Sequence, residues 1–329
     1  MKQLKEELKN NQFPLCYLFY GAEVYLKEAA EKNLQKKFQS DSTGDMNLSI
    51  FGSQASVNEV MDAVETLPFF AEKRLVVWKE SGLFQAGRKQ DSERMAAFLT
   101  NLPQSTCLVF SETAVDKRNK LYKAVTKVGR AVEFQPLAEK ERYDWAIGQM
   151  KKRKIMMERP IAARFFGYVG NEMENAARQL ALLADYVGEG QSVQLEDIEA
   201  VCSRSLETKV FDLIGAVSRR QTQQAVRLYR EMLLQKEAPL MILVMLSRQF
   251  RLMLQCKSLL SQGMAQSELA SALGQNPYAV KQCVQAAKNF TVERLKEAME
   301  ACVQADWDIK SGKIKDDLAV ELVIVSYGS

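Results

Sequence analysis

The sequence predicts an α/β domain at the N-terminal end, followed by two all-α domains. Short apolar runs alternate with helical stretches over residues 14–136, a pattern typical of a mainly parallel sheet whose strands are joined by helices. After Gln135-Pro136 the strand-like runs stop, and only helical periodicity continues. A chain of 329 residues is long enough for about two or three domains. We place them at residues 1–137, 138–206 and 207–329.

The first domain contains the whole alternation of strands and helices. Apolar runs bounded by turn residues predict the strands, and 3.6-residue periodicity between them predicts the helices. The predicted strands are 15–20, 47–51, 74–78, 106–111 and 131–134, and the predicted helices are 24–38, 56–66, 91–101 and 118–128.

Only helices are predicted for the other two domains. Pro160 and Gly170 mark breaks between helices of the middle domain, and from Leu206 about five or six further helices follow. The predicted helices of the middle domain are 139–154, 158–169, 172–187 and 194–202.

The composition is that of a globular protein without the usual catalytic groups. Hydrophobic residues make up 47% and charged residues 26%, and the net charge of +4 is too small to demonstrate a nucleic-acid partner. Residues 1–8 contain no apolar leader, so we expect no secretory signal and a cytoplasmic location. The six cysteines include no Cys-x-x-Cys pair and are expected to be reduced core residues. The chain has no histidine, which removes the commonest general base and the usual transition-metal ligand. We expect no catalytic residue, no metal and no cofactor.

The turn at Gly21-Ala22-Glu23 joins the first strand to the first helix of the α/β domain. A nucleotide-binding domain opens in this way, but its loop would carry more glycines and a Lys-Ser/Thr pair to cradle the phosphates. Here the turn offers the carboxylate of Glu23 instead. We interpret it as a nucleotide-fold scaffold without nucleotide chemistry, although any α/β domain can begin with a strand, a glycine and a helix.

The ends of two later strands support this interpretation. In a nucleotide hydrolase the strand at 74–78 would end in Asp-Glu, to hold Mg²⁺ and orient water. It ends in Lys79-Glu80-Ser81, and the strand at 106–111 is followed by Glu112 alone. Glu80 is therefore predicted to be a solvated strand end.

Residues 66–71 form a short connection that carries Leu67, Phe69 and Phe70 around a proline. Adjacent side chains diverge, so these three cannot all point into the core. Exposed aromatic pairs are typical anchors of protein–protein contacts. The alternative from these residues alone is a loop that plugs the core.

Two further segments carry charged or aromatic residues that could contact a partner. The most apolar segment, 239–260, has Arg248 and Arg251 in its middle, which favours a central core or interface helix over a membrane span. Near the C-terminal end, Trp307, Lys310 and Lys313 could stack on a base and pair with phosphates of DNA. The alternative there is a plain helix end with Gly312 just beyond it.

Several runs, taken in order along the chain, resemble the delta-subunit family of the bacterial DNA polymerase III clamp loader. No single run is diagnostic, but their joint order covers essentially the whole chain. In the first half the matching runs lie at 17–26, 67–77 and 116–121, and in the second half at 211–214, 246–251, 276–281 and 305–312.

The resemblance implies a fold, a role and partners. The fold is an AAA+-like N-terminal domain at 1–137 that has lost ATP binding, a helical lid at 138–206 and a helical collar at 207–329 that joins a five-subunit ring. The partners are the sliding clamp (beta subunit), the clamp-loader ATPase and delta-prime subunits, and primed DNA within the complex. The implied role in DNA replication is non-catalytic: the subunit binds the clamp and opens its ring, within a complex classed as a DNA-directed DNA polymerase. Leu67, Phe69 and Phe70 correspond to the family's clamp-contact motif.

Two other functions stay open at this point. An ATP-binding loader subunit of the AAA+ type would need the phosphate cradle that the turn at Gly21 lacks. An α/β cofactor enzyme with a helical appendage, such as a methyltransferase, would need a second glycine in that turn and an acidic end to the second strand. Glu23 stands in the turn, and Gly52 follows the second strand.

Overall fold

The computed structural model describes residues 2–39, 44–275 and 277–328. They fall into two compact units, Met1–Ala138 and Glu139–Ser329. The first unit contains the strands, and the elements of the second are helices over its described part, with one isolated parallel bridge between Met156 and Ser192. The predicted fold class, an α/β domain with a parallel sheet followed by helices, is confirmed. The further division of the second unit at residue 206 stays a prediction.

The sheet of the first unit is parallel throughout its described part. Its strands follow the order β2-β3-β4-β1-β5. Every residue of β1 and β4 is buried, which explains the continuous apolar runs at 16–20 and 107–110. The strands are β1 (Cys16–Tyr20), β2 (Leu48–Phe51), β3 (Arg74–Lys79), β4 (Thr106–Glu112) and β5 (Arg130–Glu133).

Helices connect these strands and cover the sheet. The third of them begins at a capping box, in which Ser56 and Glu59 satisfy each other's backbone N–H groups. Short 3-10 helices at Gly44–Asn47 and Leu99–Asn101 complete the connections. The helices of the first unit are α1 (Lys2–Asn10), α2 (Val24–Phe38), α3 (Val57–Glu65), α4 (Lys89–Phe98) and α5 (Lys120–Val128).

Helix α1 was not predicted. Its Leu4 is buried, and its Glu7 accepts a hydrogen bond from the Tyr17 hydroxyl at 2.8 Å and pairs with Arg130. Leu4 and Leu8 stand one turn apart, which is the signal that could have found it.

The second unit begins with four helices and continues with seven more over its described residues. The prediction of about five or six helices after Leu206 was therefore slightly too low, although the two short helices expected on either side of Gly274 are present. Buried side chains from all of the last seven helices form one apolar core. The eleven helices are α6 (Glu139–Lys152), α7 (Arg159–Val169), α8 (Met173–Val187), α9 (Leu195–Val201), α10 (Leu206–Ser218), α11 (Thr222–Leu234), α12 (Pro239–Ser261), α13 (Gln266–Ala272), α14 (Pro277–Ala287), α15 (Val292–Lys310) and α16 (Asp316–Gly328).

The cysteines are core residues, as predicted. All six lie in the described ranges, and each is a buried free thiol. Burial raises the pKa of the Cys107 and Cys302 thiols to about 12, which keeps them protonated and unreactive at neutral pH.

Among the residues described, no helix is long and apolar enough to cross a membrane.

Candidate protein-binding site

Leu67, Phe69 and Phe70, here called the knob, lie in the loop between α3 and β3. This loop precedes the first residue of β3, so the knob lies at the edge of the sheet where the parallel strands begin. Leu67 is 78% exposed, Phe69 49% and Phe70 85%. The exposure expected from the sequence is confirmed, and the alternative of a loop that plugs the core is wrong.

The two rings of the knob are held against each other. Their centroids lie 4.6 Å apart with an interplanar angle of 86°, the edge-to-face arrangement that aromatic pairs favour. Phe70 has a φ of 48°, in the left-handed region that a bulky residue rarely adopts. This backbone conformation turns the Phe70 ring outward beside Phe69.

The loop is fastened to the sheet by two buried polar side chains. The Asn47 amide exchanges two hydrogen bonds with the backbone of Phe69, accepting from its N–H at 2.6 Å and donating to its carbonyl at 2.8 Å. The Arg74 guanidinium donates to the Thr66 carbonyl at 3.3 Å and to the Ser49 hydroxyl at 2.9 Å. Sequence reasoning treated Asn47 only as the start of a strand and missed this role.

The opposite edge of the sheet, where the strands end, holds a network of buried charges. The Lys27 ammonium of α2 is 5% exposed, donates to the Glu112 carbonyl at 2.8 Å and lies 3.6 Å from the Glu80 carboxylate. Glu112 is fully buried and accepts from the N–H and the hydroxyl of Ser81 at 2.9 and 2.5 Å. These bonds connect α2 with the ends of β3 and β4.

Two further carboxylates belong to the same edge. Glu80 is exposed, as predicted, but it also accepts from the N–H and the hydroxyl of Thr113 at 3.2 and 2.7 Å. Glu31 of α2 is buried and pairs with the Lys79 ammonium at 2.5 Å. The side chains that follow β3 and β4 therefore bond to one another and to α2.

Burial raises the pKa of the Glu112 carboxyl, and the nearby Glu80 charge adds to the rise. The hydrogen bonds from Ser81 and Gly82 act in the opposite direction, because they stabilise the ionised form. The second oxygen of Glu112 has no hydrogen-bond partner among the described residues. Desolvation is the larger effect.

The turn after β1 uses its backbone groups internally. The Glu23 N–H donates to the Phe134 carbonyl at 3.0 Å. Gly21 has a φ of 125°, and a side chain there would place its Cβ 2.3 Å from the same carbonyl oxygen. Glycine is required at this turn by the close approach of the chain after β5.

In the second unit, Arg248 and Arg251 lie on α12, three residues apart, and both are exposed. Neither makes a hydrogen bond or ion pair within the described ranges. Arg248 lines a cleft of about 640 Å³ that is also bordered by Arg142, Phe211 and Arg219. Two unpaired guanidinium groups on an apolar helix are available to a partner, and their predicted interface role stays a prediction.

Trp307, Lys310 and Lys313 lie at the C-terminal end of α15. Trp307 is 69% exposed, whereas both lysines are paired, Lys310 with Asp306 at 2.7 Å and Lys313 with Asp308 at 3.1 Å. Gly312 has a φ of 74°, and the Lys313 N–H donates to the Asp308 carbonyl at 2.9 Å, so the predicted glycine cap is confirmed. The predicted DNA contact stays a prediction.

Comparisons with known proteins agree with one another. Residues 17–135 match the family model for the DNA polymerase III delta subunit, and residues 207–327 match the model for the C-terminal domain of the same subunit. DNA polymerase III subunit delta of Bacillus subtilis (strain 168) is 27% identical over 328 residues, which is 97% of this chain and 94% of that protein. The solved structure of the Bacillus subtilis DNA clamp loader delta protein matches with a TM-score of 0.69 and 26% identity, over 99% of both chains.

The two family models describe the two ends of one subunit, and they match here in the same order, with matched segments that together cover most of the chain. The structural match extends over the region between them. The chain therefore belongs to the DNA polymerase III delta subunit family.

Proposed function

We propose that this chain binds the ring-shaped sliding clamp through the knob and opens the ring, so that the clamp can be loaded onto primed DNA. A clamp-loader delta subunit is a non-catalytic component, and the energy for loading would come from the ATPase subunits of the complex. The complex as a whole is the DNA polymerase III holoenzyme, a DNA-directed DNA polymerase that replicates DNA in the cytoplasm.

The exposed knob is the observation that carries this proposal. Three large apolar side chains are exposed on one loop beside the sheet edge, and two of them are aromatic rings in edge-to-face contact. Such a cluster loses free energy in water and gains it in an apolar pocket, which is the behaviour of an interface anchor. A partner with a hydrophobic pocket about the size of two rings fits this surface.

The polar network at the opposite edge supports a role without ATP. A phosphate cradle requires free backbone N–H groups and a lysine that points toward the ligand. Here the Glu23 N–H is bonded to Phe134, and the Lys27 ammonium is bonded to the Glu112 carbonyl. We infer that this edge has exchanged nucleotide contacts for contacts within the protein.

The helices from about residue 207 onward are proposed as the collar that joins the ATPase and delta-prime subunits. Arg248 and Arg251 are proposed interface residues, because they are exposed and unpaired on α12 while apolar neighbours such as Met241 and Val244 are also exposed. Trp307 is proposed to stack on a base of the DNA. Lys310 and Lys313 would contribute less, since each already neutralises an aspartate.

Titration of the purified chain with its cognate sliding clamp tests the proposal. Phe69→Ala/Phe70→Ala should weaken binding by about a hundredfold or more, because interface anchors of this type often cost about 2 kcal/mol each on truncation. Leu234→Ala removes a side chain that is 83% exposed in the second unit, and it serves as the matched control. Unchanged clamp affinity in the double variant would contradict the proposal.

A further inference from the structure

We propose that Asn47 is a positioning residue that fixes the knob in its binding conformation before the clamp arrives. This inference rests on the proposed function, because it concerns how the knob is presented. It assigns a specific task to a buried amide that forms hydrogen bonds with the backbone of Phe69.

The two hydrogen bonds to Phe69 are the first part of the argument. Asn47 is 1% exposed, and its side-chain amide pairs with both backbone polar groups of Phe69, at 2.6 and 2.8 Å. Over the described part of the chain, these are the only hydrogen bonds made by the backbone of residues 67–71. Asn47 therefore makes the hydrogen bonds that hold the knob backbone itself, while Arg74 holds the Thr66 carbonyl just before it.

The conformation that Asn47 holds is one that the loop would not choose alone. Phe70 has its backbone in the left-handed region, where a bulky residue is strained, and such strain persists only when surrounding contacts impose it. Fixing the Phe69 backbone also fixes the position from which its ring meets the Phe70 ring edge to face. Without this restraint, the loop would relax and the two rings would separate.

Asn47 is itself held by the sheet. It ends the 3-10 helix Gly44–Asn47 and is followed directly by β2, whose Leu48 pairs with Leu75 of β3. Asn47 thus links the start of β2 to the loop that leads into β3. A ligand that is already in its bound conformation loses less entropy on binding, so this restraint should increase clamp affinity without any contact between Asn47 and the clamp.

Asn47→Ala tests the inference, with Asn119→Ala as the matched control. Asn119 is also an asparagine whose amide bonds to backbone in both directions, donating to the Leu83 carbonyl at 2.9 Å and accepting from the Leu121 N–H at 2.8 Å, but it lies in the loop before α5. Asn47→Ala should weaken clamp binding about tenfold, since two hydrogen bonds are lost, and Asn119→Ala should leave it unchanged.

Hydrogen exchange of the Phe69 amide gives a readout that does not involve the clamp. The Phe69 N–H should be protected in the wild-type chain, and Asn47→Ala should increase its exchange rate by about tenfold or more while Asn119→Ala does not. Should Asn47→Ala fail to fold, Asn47→Asp provides the same test: it preserves the side-chain shape but loses the donor to the Phe69 carbonyl, and it should still weaken clamp binding.

The outcomes separate the two proposals. If Phe69→Ala/Phe70→Ala loses clamp affinity but Asn47→Ala and Asn47→Asp do not, the positioning role is wrong and the proposed function stands. An unprotected Phe69 amide in the wild-type chain, or an equal loss of affinity in Asn119→Ala, would also overturn the positioning role. If the double knob variant binds the clamp normally, the proposed function itself fails.

Discussion

The single variants Phe70→Ala and Phe69→Ala should differ in how much each lowers clamp affinity and how much each lowers the stability of the fold. A phenylalanine side chain presents about 200 Å² to be buried, and each Å² is worth about 25 cal/mol. Because Phe70 is 85% exposed, about 170 Å² is available to a partner, or about 4 kcal/mol at most, and folding buries only about 30 Å². Phe69 is 49% exposed, so about half of its area is buried on folding and about half is available to a partner, with about 2.5 kcal/mol for each.

Phe70→Ala is therefore expected to weaken clamp binding by about thirtyfold or more, while the free energy of unfolding changes by less than about 1 kcal/mol. Phe69→Ala should lower both by about 2 kcal/mol. Calorimetric titration with the clamp and urea unfolding of the same preparations measure the two quantities. The reasoning is refuted if Phe70→Ala destabilises the fold more than Phe69→Ala, or if Phe69→Ala alone accounts for all of the lost affinity.

Four other predictions concern the rest of the molecule. Calorimetry with ATP should give no binding heat, because the turn at Gly21 has no free phosphate cradle; micromolar ATP binding that is lost on changes around Gly21 would contradict this. Burial raises the pKa of the Glu112 carboxyl in the folded state, so the free energy of unfolding should fall as pH rises from the ordinary Glu value of 4.5 through the higher folded pKa. Glu112→Gln should remove this part of the pH dependence. Urea unfolding followed by Trp78 fluorescence, with Trp145 and Trp307 changed to Phe, measures the free energy of unfolding at each pH, and an unchanged pH slope in Glu112→Gln would count against the prediction. Arg248→Ala/Arg251→Ala should reduce co-elution with the ATPase and delta-prime subunits by about tenfold, and a chain ending near Ser205 should not co-elute at all; full assembly of either would refute the collar assignment. Trp307→Ala should weaken retention of primed DNA by the assembled complex by about tenfold, as expected for one lost base stack, and equal retention would exclude the contact.

The strands were predictable because parallel strands that are buried on both faces appear in the sequence as continuous apolar runs. Leu18 and Phe110 lie in unbroken apolar runs, and the predicted bounds of β1 and β4 agree with the structure to within one residue. Exposure of the knob was predictable for a different reason: Phe69 and Phe70 are adjacent, so a short loop cannot bury both.

The contacts that hold these features in place were not predictable. Asn47 is 22 residues from Phe69, and Lys27 is 85 residues from Glu112. Such pairs form because the strand order of the sheet brings distant loops together. The local periodicity of the sequence does not predict that order. The same reason explains why Glu80 could be placed at a strand end while its bonds to Thr113 could not.

The buried position of Lys27 makes the carboxyl edge of the sheet resistant to change by single substitutions. Replacing Lys27 with a neutral residue would leave the Glu112 carbonyl without its donor, which lowers the stability of the fold by about 1–3 kcal/mol. A new ligand would first have to offset this destabilisation. Freeing the Glu23 N–H would also require the backbone at Phe134 to move away. Engineering a nucleotide site at this edge would thus need several coordinated replacements, each destabilising by itself, whereas the knob at the other edge can be redesigned one side chain at a time.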